Sequence, residues 1–163
     1  MSDAIRPAEP RDAEAIARIY NQGIEERVAT LETEPRSVEE RRQWLAMRGP
    51  RHPVIVLERA GEVVGWGSLN PFNPRACYDQ VADFSVYVER SARGSGVGRR
   101  MLEHLIRQAR TLGYHKLVLA ALAHNAAGTA LYTRVGFRTV GTYCEQGMLD
   151  GAWVDVLLME LLL

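Results

Sequence analysis

One central segment restricts the fold most, because a strand-like run, a glycine-rich loop, an amphipathic helix and a second strand-like run follow without a break. The run VADFSVYV is rich in β-branched and aromatic residues, as is typical of strands. In the helix, the apolar residues Val97, Met101, Leu105 and Ala109 recur at helical spacing, and Gly113 follows as a C-terminal cap. The second run is HKLVLAAL. A helix between neighbouring strands indicates an α/β sheet.

Two hairpins indicate that the rest of the sheet is antiparallel. VIVLER and VVGWGSL flank a short turn at Ala60–Glu62, and Asp150–Gly151 separates the last two strand-like runs. The segment from Asn70 to Gln80 is rich in Pro and Asn and is predicted to be a loop.

Two helices are predicted in the N-terminal part, after a short strand at AIRP. The first has Pro10 in its first turn, and the second runs from the capping box Ser37–Glu40 to Met47. A further helix starts at Asn125 and stops before Gly136. The predicted fold class is therefore mixed α/β (α+β): one domain over residues 1–163, with a mostly antiparallel sheet flanked by helices.

The composition excludes several classes of protein. With 20 basic and 20 acidic side chains there is no excess of positive charge for nucleic acid. No apolar run approaches the length of a membrane span, so a membrane partner is not expected. Cys77 and Cys144 have no metal-ligand spacing. We expect free thiols, no metal and a cytoplasmic location.

The glycine-rich loop, residues 93–98, does not match the two common nucleotide motifs. A Walker loop would end in Gly-Lys-Ser/Thr, and a dinucleotide fingerprint would need a glycine where Arg99 stands. Two interpretations remain: a cluster of main-chain N–H groups that binds an anion at a helix N-terminus, or an ordinary flexible turn.

A second feature favours the anion-binding interpretation. In HNAAGTALYTRVGF, Asn125 and Tyr132 are seven positions apart, which places both on nearly one face of a helix. Together with the glycine-rich loop, this pattern resembles the GNAT superfamily of N-acetyltransferases, which bind acetyl-CoA. The resemblance implies a sheet that opens after the SVYV segment (Ser85–Val88), with the cofactor lying along the exposed main chain.

The resemblance also implies roles for single residues. N–H groups near Val86 and Val88 would bind pantetheine or polarise the thioester carbonyl, and Tyr132 would protonate the leaving thiolate. Arg99 and Arg100 either reach the phosphates or are simply solvated. The predicted cofactor-binding residues are Val86, Tyr87, Val88, Arg93, Gly94, Ser95, Gly96, Val97, Gly98 and Asn125.

Three scattered stretches, YNQGIEERVATLETEP, PRACYDQVADFSVYV and DGAWVDV, resemble the phosphinothricin and arsinothricin N-acetyltransferase group. That group acetylates the α-amino group of small amino acids with a phosphinate, arsinate or sulfoximine side chain. The resemblance implies direct attack by the amine and, through the last hairpin, a homodimer. Trp153 and Asp155 match the G-x-W-x-D of the group. We expect Trp153 to pack on the sheet and Asp155 to pair locally.

The α-ammonium must lose a proton before it attacks. Members of the group typically carry Glu at the position of Asp83, so the shorter Asp83 is the candidate base, directly or through water. Glu25, Glu26 and Glu32 are the alternatives.

An arginine fork suits the substrate's carboxylate and its phosphinate or arsinate. Arg75 and Tyr78 match an arginine and a tyrosine in the loop of the related group, so the resemblance implies that Arg75 binds the anion and that Tyr78, with Phe72, shapes the pocket. Arg27 is a further candidate. Phe84 replaces a histidine of some relatives, which indicates that the pocket prefers another substrate.

Two other functions remain open at this point. One is acetylation of a different amine, such as a polyamine, an aminoglycoside or a protein N-terminus. The other is a non-catalytic acyl-CoA-binding domain, which the change from Glu to Asp keeps possible.

Overall fold

The computed structural model describes residues 2–163, and every predicted helix and strand is present. The elements are β1 (Ala4–Pro7), α1 (Ala13–Glu26), α2 (Val38–Ala46), β2 (Val54–Arg59), β3 (Glu62–Pro71), β4 (Val81–Val88), α3 (Val97–Thr111), β5 (Lys116–Leu122), α4 (Ala126–Arg134), β6 (Arg138–Leu149) and β7 (Ala152–Leu162).

The predicted helix starts differ from the observed ones in detail. Pro10 opens a short 3-10 turn, and α1 begins after it at Ala13. Ser37 caps α2 by accepting a hydrogen bond from the Glu40 N–H at 3.1 Å. The Glu40 side chain bonds Arg36 instead of closing the capping box. Among residues 2–163, no helix is long and apolar enough to cross a membrane.

The strands form one sheet in the order β1-β2-β3-β4-β5-β7-β6. Only the β4–β5 pair is parallel, and the other five pairs are antiparallel. The predicted mixed, mostly antiparallel class is therefore confirmed. Both predicted hairpins form, and the central residues of each turn have positive φ: Ala60, Gly61, Asp150 and Gly151.

The loop prediction from Asn70 onward is wrong at its start, because β3 continues through Pro71. Asn70 pairs with Asp83, and Pro71 pairs with Ala82 of β4. On the other side, the pairing of β2 ends at Ser68. Since no strand lies there to receive an N–H, the sheet tolerates a proline at this position.

The sheet separates two apolar layers. α3 covers one face, where Phe84 packs with Leu105 and Phe137. α1 and α2 cover the other, where the rings of Tyr87 and Trp66 stack with centroids 5.0 Å apart. Side chains along β4 therefore alternate between the two layers, as expected for a strand without a bulge.

The sheet opens within β4. The parallel pairing consists of Val81 with Lys116, Ala82 with Leu117, and Asp83 with Val118, and beyond Asp83 the two strands are no longer paired. β5 stays paired with β7 as far as Leu122. The prediction that the sheet opens after the SVYV segment is therefore wrong: the opening begins before it, where the Phe84 ring meets the Tyr132 ring of α4 at 5.8 Å.

Candidate active site

The opening leaves one side of the β4 main chain without a strand partner. The Glu89 N–H donates to the Val64 carbonyl of β3 at 2.8 Å. Since main-chain groups alternate in direction along an antiparallel strand, those of Tyr87 and Ser85 also face β3. The N–H groups of Val86 and Val88 then face the opening. At this position they can donate to an extended chain or to a polarised carbonyl, and their role toward the cofactor stays a prediction.

Tyr87 does not share this position. Its main chain pairs with Trp66 of β3, and its ring lies between Trp66 and Tyr20 on the α1 side of the sheet. Burial raises the pKa of its hydroxyl, so the side chain stays neutral. Tyr87 is thus a packing residue beside the opening, and its placement does not favour the predicted contact with the cofactor.

The glycine-rich loop lies beside the exposed end of β4. The Arg93 side chain connects the two, since its Nε donates to the Val88 carbonyl at 3.1 Å. Gly94 and Gly96 have φ values of 75° and 86°, which glycine adopts without strain. Gly96 is the N-cap of α3 and offers no side-chain acceptor, so the first N–H groups of α3 stay open to an anion. These features fit a diphosphate.

Two glycines with the same backbone strain allow the loop's role to be tested. Gly96 and Gly113 both have φ near +85°, and a Cβ at either would meet no atom within 4 Å. Alanine at each should cost about 1–2 kcal/mol of stability. We expect only Gly96→Ala, at the α3 N-terminus, to raise the KM for acetyl-CoA, by about tenfold. Steady-state kinetics and thermal melts measure the two effects, and an equal KM increase in Gly113→Ala would contradict the assignment.

Asn125 and Tyr132 are brought together by α4, but not as predicted. Asn125 precedes the helix as its N-cap, because its Oδ1 accepts from the Gly128 N–H at 3.0 Å. Its Nδ2 is the group left for the cofactor. Tyr132 packs edge-on against Phe84 and Phe137. Burial, and then the nearby Asp83 carboxylate, raise the pKa of Tyr132, so its hydroxyl keeps the proton that a thiolate would need.

Asp83 lies at the last paired position before the opening. Burial raises the pKa of its carboxyl from 3.8 to about 6, although the nearby Asn70 amide opposes the shift. A carboxyl with this pKa is ionised at neutral pH and is still basic enough to accept a proton. Asp83 and Tyr132 thus bring a proton acceptor and a proton donor to the two sides of one opening.

The alternative bases are held in ion pairs with arginines. A hydrogen bond from Arg93 lowers the pKa of Glu26. Burial alone would raise the pKa of Glu32, but hydrogen bonds from Tyr20 and Arg36 outweigh it and lower that pKa. Glu25 is exposed and pairs with Arg90. The placement of these carboxylates therefore favours Asp83 as the base.

Two of the four predicted substrate residues share a cavity. Phe72 and Tyr78 pack edge-on at 5.4 Å and line a cavity of about 410 Å³ at the β3–β4 loop. Arg75 lies in the same loop, exposed and outside that lining, with its N–H bonded to Asn73. The loop thus presents an arginine beside an aromatic pair.

Arg27 is occupied elsewhere. It ends α1 in the left-handed conformation, where its Nη1 donates to the Ile24 carbonyl at 2.9 Å and its Nε bonds Asp150 in the β6–β7 turn at 2.9 Å. Its own carbonyl contacts His124 at 2.9 Å. Arg27 therefore fastens α1 to the last hairpin, and its placement does not favour the predicted substrate contact.

The arginines after the loop also have partners. Arg99 pairs with Glu103, and Arg100 pairs with Asp3. Among residues 2–163, no group of three His, Cys, Asp or Glu side chains could hold a metal ion.

Sequence reasoning missed a polar group next to Asp83, formed by residues of β3 and of the segment after α2. Asn70 was assigned to a loop, and Ser68 and Arg48 were not singled out, yet all three form one hydrogen-bonded group. A possible signal was the polar Asn70 directly after an apolar strand, but its position opposite Asp83 depends on the sheet register.

Comparison with known families agrees with this geometry. The profile of the Acetyltransferase (GNAT) family matches residues 15–137. The chain belongs to this family. The predicted family and enzyme class are confirmed: the chain is an acetyl-CoA-dependent N-acetyltransferase. The matched residues include the glycine-rich loop, the part of β4 that is not paired with β5, and α4.

Individual relatives match along almost the full chain. The L-methionine sulfoximine/L-methionine sulfone acetyltransferase of Pseudomonas aeruginosa is 34% identical over 163 residues, which are 99% of this chain and 95% of the relative. The structure of a ribosomal-protein-alanine N-acetyltransferase from Brucella melitensis has a TM-score of 0.95 at 39% identity, covering 98% and 99% of the two chains. A phosphinothricin acetyltransferase from Sinorhizobium meliloti, solved with acetyl-CoA, has a TM-score of 0.93 at 27% identity, covering 100% and 89%.

Proposed function

We propose that this GNAT enzyme transfers the acetyl group of acetyl-CoA to the α-amino group of a small amino-acid analogue with a phosphinate, arsinate or sulfoximine side chain. The observation that carries the proposal is the desolvated Asp83 carboxyl at the start of the opening, opposite the neutral Tyr132. Full-length relatives that act on methionine sulfoximine and phosphinothricin support the substrate class.

The reaction has three steps in this proposal. Asp83 accepts a proton from the substrate α-ammonium, directly or through water, which frees the nitrogen lone pair. The amine attacks the thioester carbonyl, whose oxygen the N–H groups of Val86 and Val88 stabilise. The tetrahedral intermediate then expels the CoA sulfur, which takes a proton from Tyr132. The attacking nitrogen gives up its second proton to water, and the Tyr132 phenolate regains a proton from solvent. The nitrogen–carbon bond forms, the carbon–sulfur bond breaks, and no covalent enzyme intermediate is needed.

Arg75, Phe72 and Tyr78 are proposed to recognise the substrate. The exposed guanidinium of Arg75 is a suitable partner for a carboxylate or phosphinate, and the aromatic pair beside it can limit side-chain size. Release of CoA thiol from acetyl-CoA tests the substrate class directly. The panel contains methionine sulfoximine, phosphinothricin, arsinothricin, spermidine and an alanine-terminated peptide. Measurable binding of acetyl-CoA without thiol release with any amino-acid analogue would refute this substrate class.

Acetylation of a protein N-terminus is the second candidate. The likeness to the Brucella melitensis ribosomal-protein-alanine N-acetyltransferase, at 39% identity, favours it specifically. A kcat/KM at least tenfold higher for the alanine-terminated peptide than for every free amino-acid analogue would establish this alternative.

Polycationic acceptors such as polyamines or aminoglycosides need unpaired acidic groups. Glu26 and Glu32 are both neutralised by arginines, which disfavours such acceptors. A non-catalytic acyl-CoA-binding domain would bind acetyl-CoA but release no thiol with any amine in the panel.

We infer that the protein forms a homodimer through the β6–β7 hairpin. β6 is the edge strand of the sheet, and its hairpin exposes several large apolar side chains: Val140, Tyr143, Met148 and Trp153. Trp153, expected to pack on the sheet, is 59% exposed instead, while Asp155 accepts from the Glu145 N–H at 2.7 Å as expected of a local pair. An exposed edge with an apolar face favours pairing with a second copy.

Light scattering coupled to gel filtration checks the dimer. We expect Trp153→Glu with Tyr143→Glu to give a monomer, because two charges would be buried in the interface without partners. Met47→Glu is the matched control, since Met47 is 86% exposed but follows α2 and is not part of the β6–β7 hairpin. A wild-type monomer, or a monomer in the control alone, would contradict the inference.

A cytoplasmic location is proposed as well, because Cys77 and Cys144 are both free and exposed, as is common in reducing compartments. We also propose that residues 1–163 form one domain. The supporting observation is that strands near both ends, β1 and β7, belong to the same sheet.

A further inference from the structure

The Asn70 side chain links the segment after α2 to the β4 strand. Its Oδ1 accepts hydrogen bonds from Arg48 Nη2 at 2.9 Å and from Ser68 Oγ at 3.0 Å, and its Nδ2 donates to Ser85 Oγ at 3.2 Å. Three parts of the chain, the segment after α2, β3 and β4, thus meet at one amide.

The direction of this amide follows from its partners. A guanidinium can only donate, so the oxygen of Asn70 must face Arg48 and the nitrogen must face β4. Arg48 is itself held, since its Nε donates to the His52 carbonyl at 3.0 Å and its guanidinium lies 4.7 Å from the Trp44 ring centroid. The amide therefore cannot flip without leaving a half-buried guanidinium short of an acceptor.

The Asn70 side chain lies across the sheet from the proposed catalytic carboxylate. Asn70 is the register partner of Asp83 across β3 and β4. Asp83 and Ser85 lie on the same face of β4, two positions apart. The hydrogen bond of the amide is to Ser85, and the nearby amide lowers the pKa of Asp83 that burial raises.

The other titratable groups near Asp83 are neutral. Tyr87 on β4 and Tyr132 on α4 both have a raised pKa and carry no charge at neutral pH. β5 contributes Val118, which is apolar, at the adjacent register position.

Groups on the α1 side act on Asp83 only at longer range. Tyr20 and Glu32 act on the Tyr87 hydroxyl, and neither shifts the pKa of Asp83. Arg48 contacts Asn70 and not Asp83. The Asn70 amide is thus the polar group best placed to set the orientation of the Asp83 carboxylate.

We propose that Asn70 is a positioning residue that holds the Asp83 carboxylate and the Ser85 hydroxyl for proton transfer, with Arg48 locking the direction of its amide. This inference rests on the proposed function, in which Asp83 is the base. It accounts for aspartate at a position where the related group typically has glutamate. The aspartate side chain is one methylene shorter than that of glutamate. Its carboxylate therefore stays near the β4 main chain, within reach of an amide on the opposite strand.

The hydrogen bond from Asn70 also restricts the direction in which the Ser85 hydroxyl can donate. Because its oxygen accepts from Asn70, its own hydrogen is left to donate to a group other than Asn70. On the Asp83 face of β4, that group can be a water molecule.

The test compares Asn70→Ala with Ser68→Ala. Loss of the amide donor should move the acid limb of the kcat–pH profile upward by about 0.5–1 pH unit and lower kcat about tenfold. The KM for acetyl-CoA should change less than twofold. Ser68→Ala removes a buried hydroxyl from the same cluster, but Arg48 still orients the amide, so its acid limb should coincide with that of the wild type. Asn70→Ser provides a second variant if Asn70→Ala does not fold.

Two results would overturn the proposal: an unshifted acid limb in the Asn70 variants, or an equal shift in Ser68→Ala. Carbon NMR measures the pKa of the Asp83 carboxyl, with Asp83→Asn used to assign its signal. This measurement distinguishes a failure of the Asn70 proposal from a failure of the proposal that Asp83 is the base. If Asp83→Asn retains the wild-type rate, the proposed base is wrong. An unchanged Asp83 pKa in Asn70→Ala would show separately that the amide does not act on the carboxylate.

Discussion

Asp83→Asn should lower kcat by about 10²–10³-fold while leaving the affinity for acetyl-CoA within about twofold of the wild type. The amide keeps the shape of the carboxyl but cannot accept the proton of the α-ammonium. Asp83 is at the start of the opening, away from the glycine-rich loop that binds the diphosphate in our proposal, so cofactor binding should persist. Stopped-flow or steady-state thiol release measures kcat, and equilibrium binding measures the affinity.

The wild-type pH profile provides the companion result. Because burial raises the pKa of Asp83 to about 6, kcat should fall tenfold per pH unit below about pH 6. This limb should be absent from the residual activity of Asp83→Asn. Glu32→Gln is the matched control, since it removes an alternative base. Loss of the acid limb in Glu32→Gln instead would assign the base to Glu32.

The same substitution should stabilise the fold. The pKa of Asp83 is about 6 in the folded chain and 3.8 in the unfolded chain. Between pH 3.8 and pH 6 the unfolded chain therefore binds fewer protons than the folded chain. The free energy of unfolding falls as the pH rises through this range. At pH 8 the buried charge costs about 2–3 kcal/mol, and Asp83→Asn removes this cost. Denaturant unfolding at pH 8 should show the gain, which should vanish below about pH 4. An inactive variant with no gain in stability at pH 8 would contradict the proposed desolvation.

Tyr132→Phe should lower kcat by about 10–100-fold with little change in stability. The ring contacts with Phe84 and Phe137 remain, and only the hydroxyl that protonates the CoA thiolate is lost. The acid limb should stay in place because Asp83 is unaffected as a base.

Tyr114→Phe is the control for loss of a tyrosine hydroxyl. Tyr114 is buried, and its hydroxyl donates to the Arg51 carbonyl at 2.8 Å, outside the opening. This variant should lose about 1 kcal/mol of stability and keep its kcat. Wild-type turnover by Tyr132→Phe would remove Tyr132 from the chemistry.

The local pattern of the sequence was sufficient to predict the helices, the hairpins and the glycine-rich loop. Hydrophobic spacing located the amphipathic helices, and the turn residues Gly61 and Gly151 marked the two hairpins where positive φ is needed. The loop between β4 and α3 could be predicted for the same reason: glycines at a helix start leave the main chain bare, a property of neighbouring residues alone.

Long-range pairing decided what the sequence left open. Asp83, Glu26 and Glu32 are all carboxylic acids, but burial raises the pKa of Asp83, whereas hydrogen bonds from arginines help to lower the pKa of the two glutamates. Arg27 was a plausible anion ligand until its guanidinium was found fastened to Asp150. Such partners lie far apart in the chain, so no local spacing could reveal them.

The sequence by itself determined the order of helices and strands, the position of the glycine-rich loop and, through the motif around Asn125 and Tyr132, the resemblance to the acetyltransferase family. The tertiary structure alone decided where the sheet opens and which amides face the opening, because both depend on the register of β4 with its two neighbours. It also placed Asn70 opposite Asp83. The environment of a buried carboxyl is set by residues that folding brings together, and this is why the sequence could name Asp83 as the candidate base but could not show the burial that raises its pKa.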